Sequence, residues 1–78
     1  MKQRVRELLE KELPLVDLDS DYLFSELDSL SITLILMVLS DEFGVEFDAK
    51  DATPKNLKSL DSIVKMIENK LASKTRKE

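Results

Sequence analysis

The residues best placed for chemistry are the serines of a recurring tripeptide, Leu-Asp-Ser. It occurs three times, ending at Ser20, Ser29 and Ser62. Only Ser29 stands directly in front of a strongly apolar run, residues 30–39, that predicts a helix. A serine there is usually an N-cap, because its oxygen takes up a free backbone N–H. The same position also suits a phosphate-linked prosthetic group, because the positive end of a helix dipole stabilises an anion.

Composition limits the reactions in which Ser29 can take part. The 78 residues include no Cys and no His. This excludes Cys/His zinc sites, disulfide frameworks and Ser–His or Cys–His nucleophilic pairs. A single small domain without such reinforcement must be stabilised by packed helices. Ser29 therefore has no obvious general base in its own chain. We expect another protein to activate it, and we do not expect this chain to form an enzyme active site.

The charge of the chain is unevenly distributed. Residues 17–51 hold ten acidic residues and one basic residue, Lys50. This acidic middle argues against nucleic acid as a partner and favours a basic protein surface, although solvated acidic surfaces are also common in small proteins. No apolar stretch approaches the ~20 residues that span a bilayer, and the first residues are charged, unlike an export signal. We therefore expect a monomeric, cytoplasmic protein.

Three stretches have the apolar spacing of amphipathic helices. Their apolar residues recur at intervals of three and four: Val5, Leu8, Leu9 and Leu13; Ile32, Ile35, Leu36, Leu39 and Phe43; Leu60, Ile63, Val64, Ile67 and Leu71. Pro14 ends the first helix, Gly44 caps the end of the second, and Ser59 caps the start of the last.

A short additional helix is predicted before the last one, beginning at Thr53-Pro54, because proline suits the first position of a helix. The sequence thus predicts an all-α four-helix bundle of three principal helices and one short helix. We expect residues 1–72 to form the domain and residues 73–78 to be a charged, frayed tail.

The second helix has a further apolar stripe, on a different side from its core stripe. Leu30, Leu34 and Met37 stand at i, i+4 and i+7, with Thr33 and Asp41 on the same side. Such a stripe on a small bundle is either a docking surface or a set of residues partly buried against the long connection 14–27. Periodicity alone leaves both interpretations open.

These features together resemble the acyl, aminoacyl and peptidyl carrier proteins. Residues 27–43 align without gaps to that family's Asp-Ser-Leu motif and the helix that follows, as far as Glu42-Phe43. A second segment, Leu57-x-Ser59-Leu60-x-x-Ile63-x-x-Met66-Ile67, resembles the family's last helix. The resemblance runs from about Val5 to Leu71, nearly the whole chain, and it implies a four-helix bundle with a short third helix.

The resemblance implies carriage rather than catalysis. A phosphopantetheinyl transferase would use coenzyme A and Mg²⁺ to place 4′-phosphopantetheine on Ser29, and Asp28 would contribute to recognition by that transferase. The terminal thiol of the arm would hold acyl or aminoacyl groups as thioesters, for fatty-acid, polyketide or specialised-pathway enzymes. Leu30, Leu34, Met37 and Asp41 would face the partners, which are the transferase, a loading ligase and downstream acyl-transferring enzymes.

Two departures from fatty-acid carriers favour a specialised carrier. Leu27 precedes Asp28 where many fatty-acid carriers have a Gly-x pair, which is closer to aminoacyl carriers of the D-alanyl type. Positions that are often acidic in fatty-acid carriers are Ser31, Leu34 and Ser40. The partner surface would therefore be more apolar and less charged.

Two alternatives from other classes remain. Asp17, Asp19, Asp21 and Asp28 have the spacing of positions 1, 3, 5 and 12 of a calcium loop, but Tyr22 stands where that loop needs glycine. The second alternative is an unmodified helical adaptor, in which Ser29 serves only as an N-cap. Replacing it with alanine would then cost about 1 kcal/mol of stability and nothing else.

Overall fold

The computed structural model of the chain describes residues 1–76, with the side chains of all of these except residues 49 and 74–76. This part contains three α-helices, α1 (Lys2–Glu12), α2 (Ser29–Phe43) and α3 (Leu60–Arg76), and no strand. Two short 3₁₀ segments, Leu23–Glu26 and Ala49–Asp51, lie in the connections. The predicted all-helical bundle is therefore confirmed, with a 3₁₀ turn as its short extra helix.

The helix ends follow local backbone chemistry. Leu13, which precedes Pro14, leaves the helical region with φ −130° and ψ 65°. Gly44 adopts the left-handed conformation, φ 65° and ψ 34°, and its N–H donates to the carbonyl of Ser40. At the start of α3, the Ser59 hydroxyl accepts a hydrogen bond from the Ser62 N–H at 3.2 Å. All three predicted boundaries are confirmed.

The predicted helical turn at Thr53-Pro54 is present as a single turn: the Leu57 N–H donates to the Thr53 carbonyl at 3.0 Å, and the Asn56 N–H donates to the Thr53 hydroxyl at 3.1 Å. A 3₁₀ turn, which was not predicted, precedes it at Ala49–Asp51. The Asp51 carboxylate accepts from the Asp48 N–H at 2.9 Å. Because short acidic side chains compete for backbone donors, this segment closes as a tight turn and not as a longer helix.

The core is one cluster of aliphatic side chains to which every helix contributes. Its fully buried members are Val5, Leu9, Leu23, Ile35, Leu39, Leu57, Ile63 and Ile67. Burying a side chain of this size contributes about 1.5–3 kcal/mol. The predicted core stripes are confirmed, with Leu8, Ile32, Leu36, Phe43, Val64 and Leu71 partly buried at their edges.

The connection between α1 and α2 is anchored rather than free. Leu18 and Leu23 insert into the core from this otherwise acidic segment, and the N–H of Leu23 donates to the carbonyl of Lys58. That hydrogen bond joins the α1–α2 connection to the α2–α3 connection. The segment that leads to the start of α2 is therefore held by its packing into the core and by this hydrogen bond.

Ion pairs link the helices at the surface. Lys2 pairs with Asp61 at 2.9 Å, Arg4 pairs with Glu42 at 2.8 Å, and Arg6 pairs with Asp19. Exposed pairs of this kind contribute little to stability, but they show that the start of α1 lies close to the start of α3 and the end of α2. In the described part of the chain, no helix is long and apolar enough to cross a membrane.

The expected boundary between domain and tail stays a prediction. α3 continues to Arg76 without a break at residue 72. The last two residues of the expected tail, 77–78, lie outside the described residues.

Candidate functional site

The start of α2 is built by a change of backbone direction immediately before Ser29. The 3₁₀ turn Leu23–Glu26 is followed by two extended residues, Leu27 (φ −106°, ψ 140°) and Asp28 (φ −108°, ψ −178°). Leu27 is partly buried against the core, while Asp28 is exposed. The buried leucines on this connection thus present Asp28 and Ser29 at the surface, at the first turn of a 15-residue helix.

Asp28, and not Ser29, is the N-cap of α2. Its carboxylate Oδ1 accepts a hydrogen bond from the backbone N–H of Ser31 at 2.8 Å, and its carbonyl accepts from the N–H of Ile32 at 2.9 Å. The interpretation of Ser29 as a mere N-cap is therefore wrong, because Asp28 already fills that role one residue earlier.

The capping bond also keeps Asp28 charged. The hydrogen bond from the Ser31 backbone N–H lowers the pKa of Asp28 below its ordinary value. A carboxylate that accepts hydrogen bonds in its ionised form holds its proton less tightly. Asp28 is therefore an anion at neutral pH, directly beside Ser29.

Ser29 is the first residue of α2, and its side chain is exposed. Its carbonyl accepts a hydrogen bond from the Thr33 hydroxyl at 2.9 Å. Its own hydroxyl forms no hydrogen bond with any side chain or backbone group that the structure describes. The oxygen is thus free for an acyl or phosphoryl acceptor role at the positive end of the helix dipole.

The other two copies of the tripeptide are committed to structure. The Ser20 hydroxyl accepts from the Tyr22 N–H at 3.2 Å. Ser62 is partly buried in the first turn of α3, with its hydroxyl 3.2 Å from that of Ser59. Their aspartates are engaged as well, since Asp19 pairs with Arg6 and Asp61 pairs with Lys2. Of the three serines, only Ser29 combines exposure with an uncommitted hydroxyl.

These residues fit a covalently attached phosphate-linked group. An exposed hydroxyl at a helix N-terminus is reachable by a modifying enzyme, and the nearby helix dipole favours the negative charge of a phosphodiester. The attachment needs no pocket in the bundle, because a covalent bond to the serine oxygen holds the group. Asp28 positions the turn that carries Ser29.

The second apolar stripe of α2 divides into an exposed and an anchored part. Leu30 is 69% exposed and Met37 is 58% exposed. Leu34 is partly buried and packs against the core, and Asp41 is exposed. Leu30 and Met37 are thus exposed and Leu34 supports the bundle, while the docking surface stays a prediction.

The acidic loop before α2 does not form a calcium site. Arg6 holds the carboxylate of Asp19, which lowers the pKa of Asp19 below its ordinary value, and Asp28 caps α2. Asp17 accepts a hydrogen bond from the Asp19 backbone N–H at 3.0 Å. Among residues 1–76, no group of three or more Asp, Glu, His or Cys side chains is arranged to hold a metal ion. The calcium-loop alternative is therefore wrong for this arrangement of the loop.

Sequence reasoning missed two contributors to the site. The first is the backbone N–H of Ser31, which fixes the Asp28 carboxylate. The spacing Asp28-x-x-Ser31 is the signal that predicts this cap, since an N-cap side chain bonds the third residue of the helix. The second is Leu23, whose burial anchors the segment before Asp28. The sequence signal for it is the short apolar run Tyr22-Leu23-Phe24 in a loop otherwise rich in acidic residues.

Comparison with known proteins identifies the family. A protein-family model described as "phosphopantetheine attachment site" matches residues 1–67, which is most of the chain. No significant match was found among curated proteins or among solved structures. Members of the matched family bear covalently attached 4′-phosphopantetheine, receive it from a transferase, and carry groups for other enzymes without being catalysts themselves. The chain belongs to the family of phosphopantetheine-binding carrier proteins.

Proposed function

We propose that this protein is an acyl carrier protein whose 4′-phosphopantetheine arm is attached to Ser29. The observation that carries the proposal is the exposed, uncommitted hydroxyl of Ser29 at the first turn of α2. Ser20 and Ser62, which share the Leu-Asp-Ser context, use their hydroxyls within the fold. Membership of the carrier family supplies the chemistry that such a hydroxyl would undergo.

In the proposed modification, the Ser29 oxygen loses its proton and forms a phosphodiester, while the nucleotide part of coenzyme A leaves. In the proposed step the proton goes to a base of the transferase, because the chain has no His or Cys and Asp28, whose pKa is lowered by its capping hydrogen bond, is a weak base. Asp28 would act as a positioning residue that holds the first turn of α2, and its charge would contribute to recognition by the transferase.

The attached group supplies a terminal thiol on which acyl groups are held as thioesters. The chain itself has no sulfur nucleophile, because it lacks cysteine. The protein therefore contributes the attachment point and the surface that partner enzymes contact. We infer that acyl groups of fatty-acid, polyketide or specialised pathways are its cargo, with the protein acting as a cytoplasmic monomer through residues 1–72.

An aminoacyl carrier of the D-alanyl type is the second candidate. The apolar and weakly charged surface of α2 favours it. The helix presents Leu30 and Met37 to solvent, and its only charged residues are Asp41 and Glu42 at its far end. Glu42 is already paired with Arg4 at 2.8 Å. A ligase or acyl-transferring enzyme that recognises this face would use apolar contacts more than basic residues.

The partner surface would centre on Leu30, Met37 and Asp41, with Leu34 supporting it from below. Exposed apolar side chains beside the attachment point are typical of a contact surface, because their burial against a partner removes apolar area from water. Leu30 follows Ser29 directly, so an enzyme that binds the attached arm would contact Leu30.

The experiment that tests the function is intact mass spectrometry after incubation with coenzyme A, Mg²⁺ and a permissive phosphopantetheinyl transferase. We expect the wild type to gain one phosphopantetheinyl group and Ser29→Ala to gain none. Ser20→Ala and Ser62→Ala are the matched controls, and both should be modified as completely as the wild type. Absence of modification in a folded wild type, under conditions that modify a known carrier, would contradict the proposal.

The modified protein then distinguishes the two kinds of cargo. Acyl-loading and aminoacyl-loading ligases, each supplied with its acid and ATP, would be compared on the same preparation by the mass added to the thiol. Loading by the acyl enzymes supports an acyl carrier, and loading by the aminoacyl enzyme alone supports the second candidate.

A further inference from the structure

We propose that a groove on α3, distant in sequence from Ser29, docks an acidic segment of a partner protein. The groove has a volume of 380 Å³ and lies between the α2–α3 connection and the exposed side of α3. Its lining residues are polar or basic except for the nearly buried Met66: Lys55, Asn56, Ser62, Lys65, Met66 and Asn69.

The groove continues along α3 into a neighbouring depression of 260 Å³. The two share Asn56, Met66 and Asn69, and the second is also lined by Asp51, Lys70 and Ser73. From Ser62 to Ser73 the helix rises by about 16 Å. The combined length fits an extended peptide segment better than a single small anion.

The positive charge at the start of this groove, where Lys55 and Lys65 lie, is not neutralised by an ion pair with the described residues, whereas Lys70 at its far end is paired with Asp51. Lys55 and Lys65 are exposed, and neither forms an ion pair with the residues that the structure describes. Asp61, four residues before Lys65, is held by Lys2 at 2.9 Å, and Asp51 is held by Lys70 at 3.1 Å. Glu68, three residues after Lys65, is exposed and also forms no ion pair with the described residues. By contrast, the three basic residues in the first half of α1 all have acidic partners: Lys2, Arg4 and Arg6.

The backbone that carries Lys55 is held in place by hydrogen bonds. The Asn56 N–H donates to the Thr53 hydroxyl at 3.1 Å, and its side-chain amide donates to the carbonyl of Asp51 at 3.0 Å. Asn56 therefore fixes the turn beside α3, and Lys55 is presented next to Lys65 from a different element. Exposed Asn69 adds an amide donor between them and the far end of the groove.

The charge of the groove selects the occupant. Two unpaired lysines and an amide are donors suited to carboxylates, and a partner segment with several acidic side chains supplies these along a line. Single exposed charge pairs contribute little, so contacts at several points along the groove are needed for binding. The exposed surface of α2 around Asp28 and Asp41 is acidic and apolar. The carrier would thus present two surfaces of opposite sign, and the basic one would select partners that have an acidic segment.

Titration of the ¹⁵N-labelled, unmodified full chain with an oligoglutamate peptide tests this proposal. We expect amide shifts at residues 55–56, 65 and 69 at low salt, and we expect their suppression at high salt because screening weakens exposed charge contacts. An oligolysine peptide should leave these amides unchanged. The double substitution Lys55→Gln/Lys65→Gln should weaken the peptide affinity about tenfold.

Lys11→Gln is the matched control, because Lys11 is another exposed lysine without an ion pair in the described part of the chain. It should bind the peptide as the wild type does. Equal binding by the double variant would overturn the proposal. Equal shifts with inorganic phosphate at the same concentration would also overturn it, because they would indicate a site for small anions. The titration does not depend on attachment at Ser29, so its failure is separate from failure of the proposed function.

Discussion

The Asp28 carboxylate accepts a hydrogen bond from the backbone N–H of Ser31 at 2.8 Å. This bond spans Ser29 and provides the capping that a serine at a helix start often provides itself. Ser29 is the first residue of α2. Its hydroxyl therefore has no structural role. Asp28 caps the helix, and Ser29 is the proposed attachment point. Mutation of each residue tests this division of roles.

Ser29→Ala should leave the stability of the protein nearly unchanged. The hydroxyl makes no hydrogen bond with the described residues, and an exposed substitution of this kind alters the free energy of unfolding by less than about 0.5 kcal/mol. Urea denaturation of the unmodified protein is the measurement. A loss of about 1 kcal/mol or more would show that Ser29 caps α2 after all.

Asp28→Ala and Asp28→Asn separate the two roles of Asp28. The alanine variant loses the cap and should melt lower, by about 4–8 °C for a domain of this size. Asparagine is also a good N-cap, so Asp28→Asn should melt close to the wild type. If the charge of Asp28 contributes to transferase recognition, both variants should be modified more slowly. Normal modification of Asp28→Asn would assign Asp28 a purely structural role.

Acid should remove a contribution of Asp51 to stability. Burial opposes the ionised form of this carboxylate, which is 16% exposed, but hydrogen bonds from the Asp48 N–H and Lys70 lower its pKa overall. A folded pKa below the unfolded value of about 3.9 means that the contribution is present above about pH 4. It is lost as the pH falls through the folded pKa.

The variant Asp51→Asn tests this pH dependence. It should be less stable than the wild type at neutral pH, and the difference should shrink as the pH falls below about 4. Urea midpoints measured across that range provide the comparison, with Asp41→Asn as an exposed control. If the urea midpoints of wild type and variant differed by the same amount at every pH, the ionised Asp51 carboxylate would not be the source of the stability.

Leu23→Ala should destabilise the whole bundle. Leu23 is fully buried and anchors the segment before Asp28, and removal of a core leucine side chain costs about 2–5 kcal/mol. Leu15→Ala is the matched control in the same connection, because Leu15 is 98% exposed and its removal should have little effect. Equal thermal stability of the two variants would show that the α1–α2 connection is not anchored by Leu23.

Helical periodicity was sufficient to predict the three long helices and their inward faces. The predicted stripes on α1, α2 and α3 are the ones that the structure buries. Pro14, Gly44 and Ser59 marked helix ends correctly, because each has a specific effect on the backbone. These signals are local, so a single sequence is enough to read them.

The connections were harder to predict, because their structure depends on contacts between distant segments. Leu23 lies in no periodic pattern, and its hydrogen bond to Lys58 joins residues 35 positions apart. The 3₁₀ turn at Ala49–Asp51 was not predicted, because it depends on side-chain hydrogen bonds of Asp48 and Asp51. At the site, the position of Ser29 was predicted, but the capping was assigned to the wrong residue.

Fragmentation mass spectrometry of the modified full chain would show whether the Ser29 oxygen is the attachment point. Fragments that separate Ser29 from Ser20, Ser25, Ser31 and Ser62 locate the phosphopantetheinyl group on one residue. We expect all of the added mass to reside on Ser29. Added mass on Ser20, Ser62 or any other serine would contradict it.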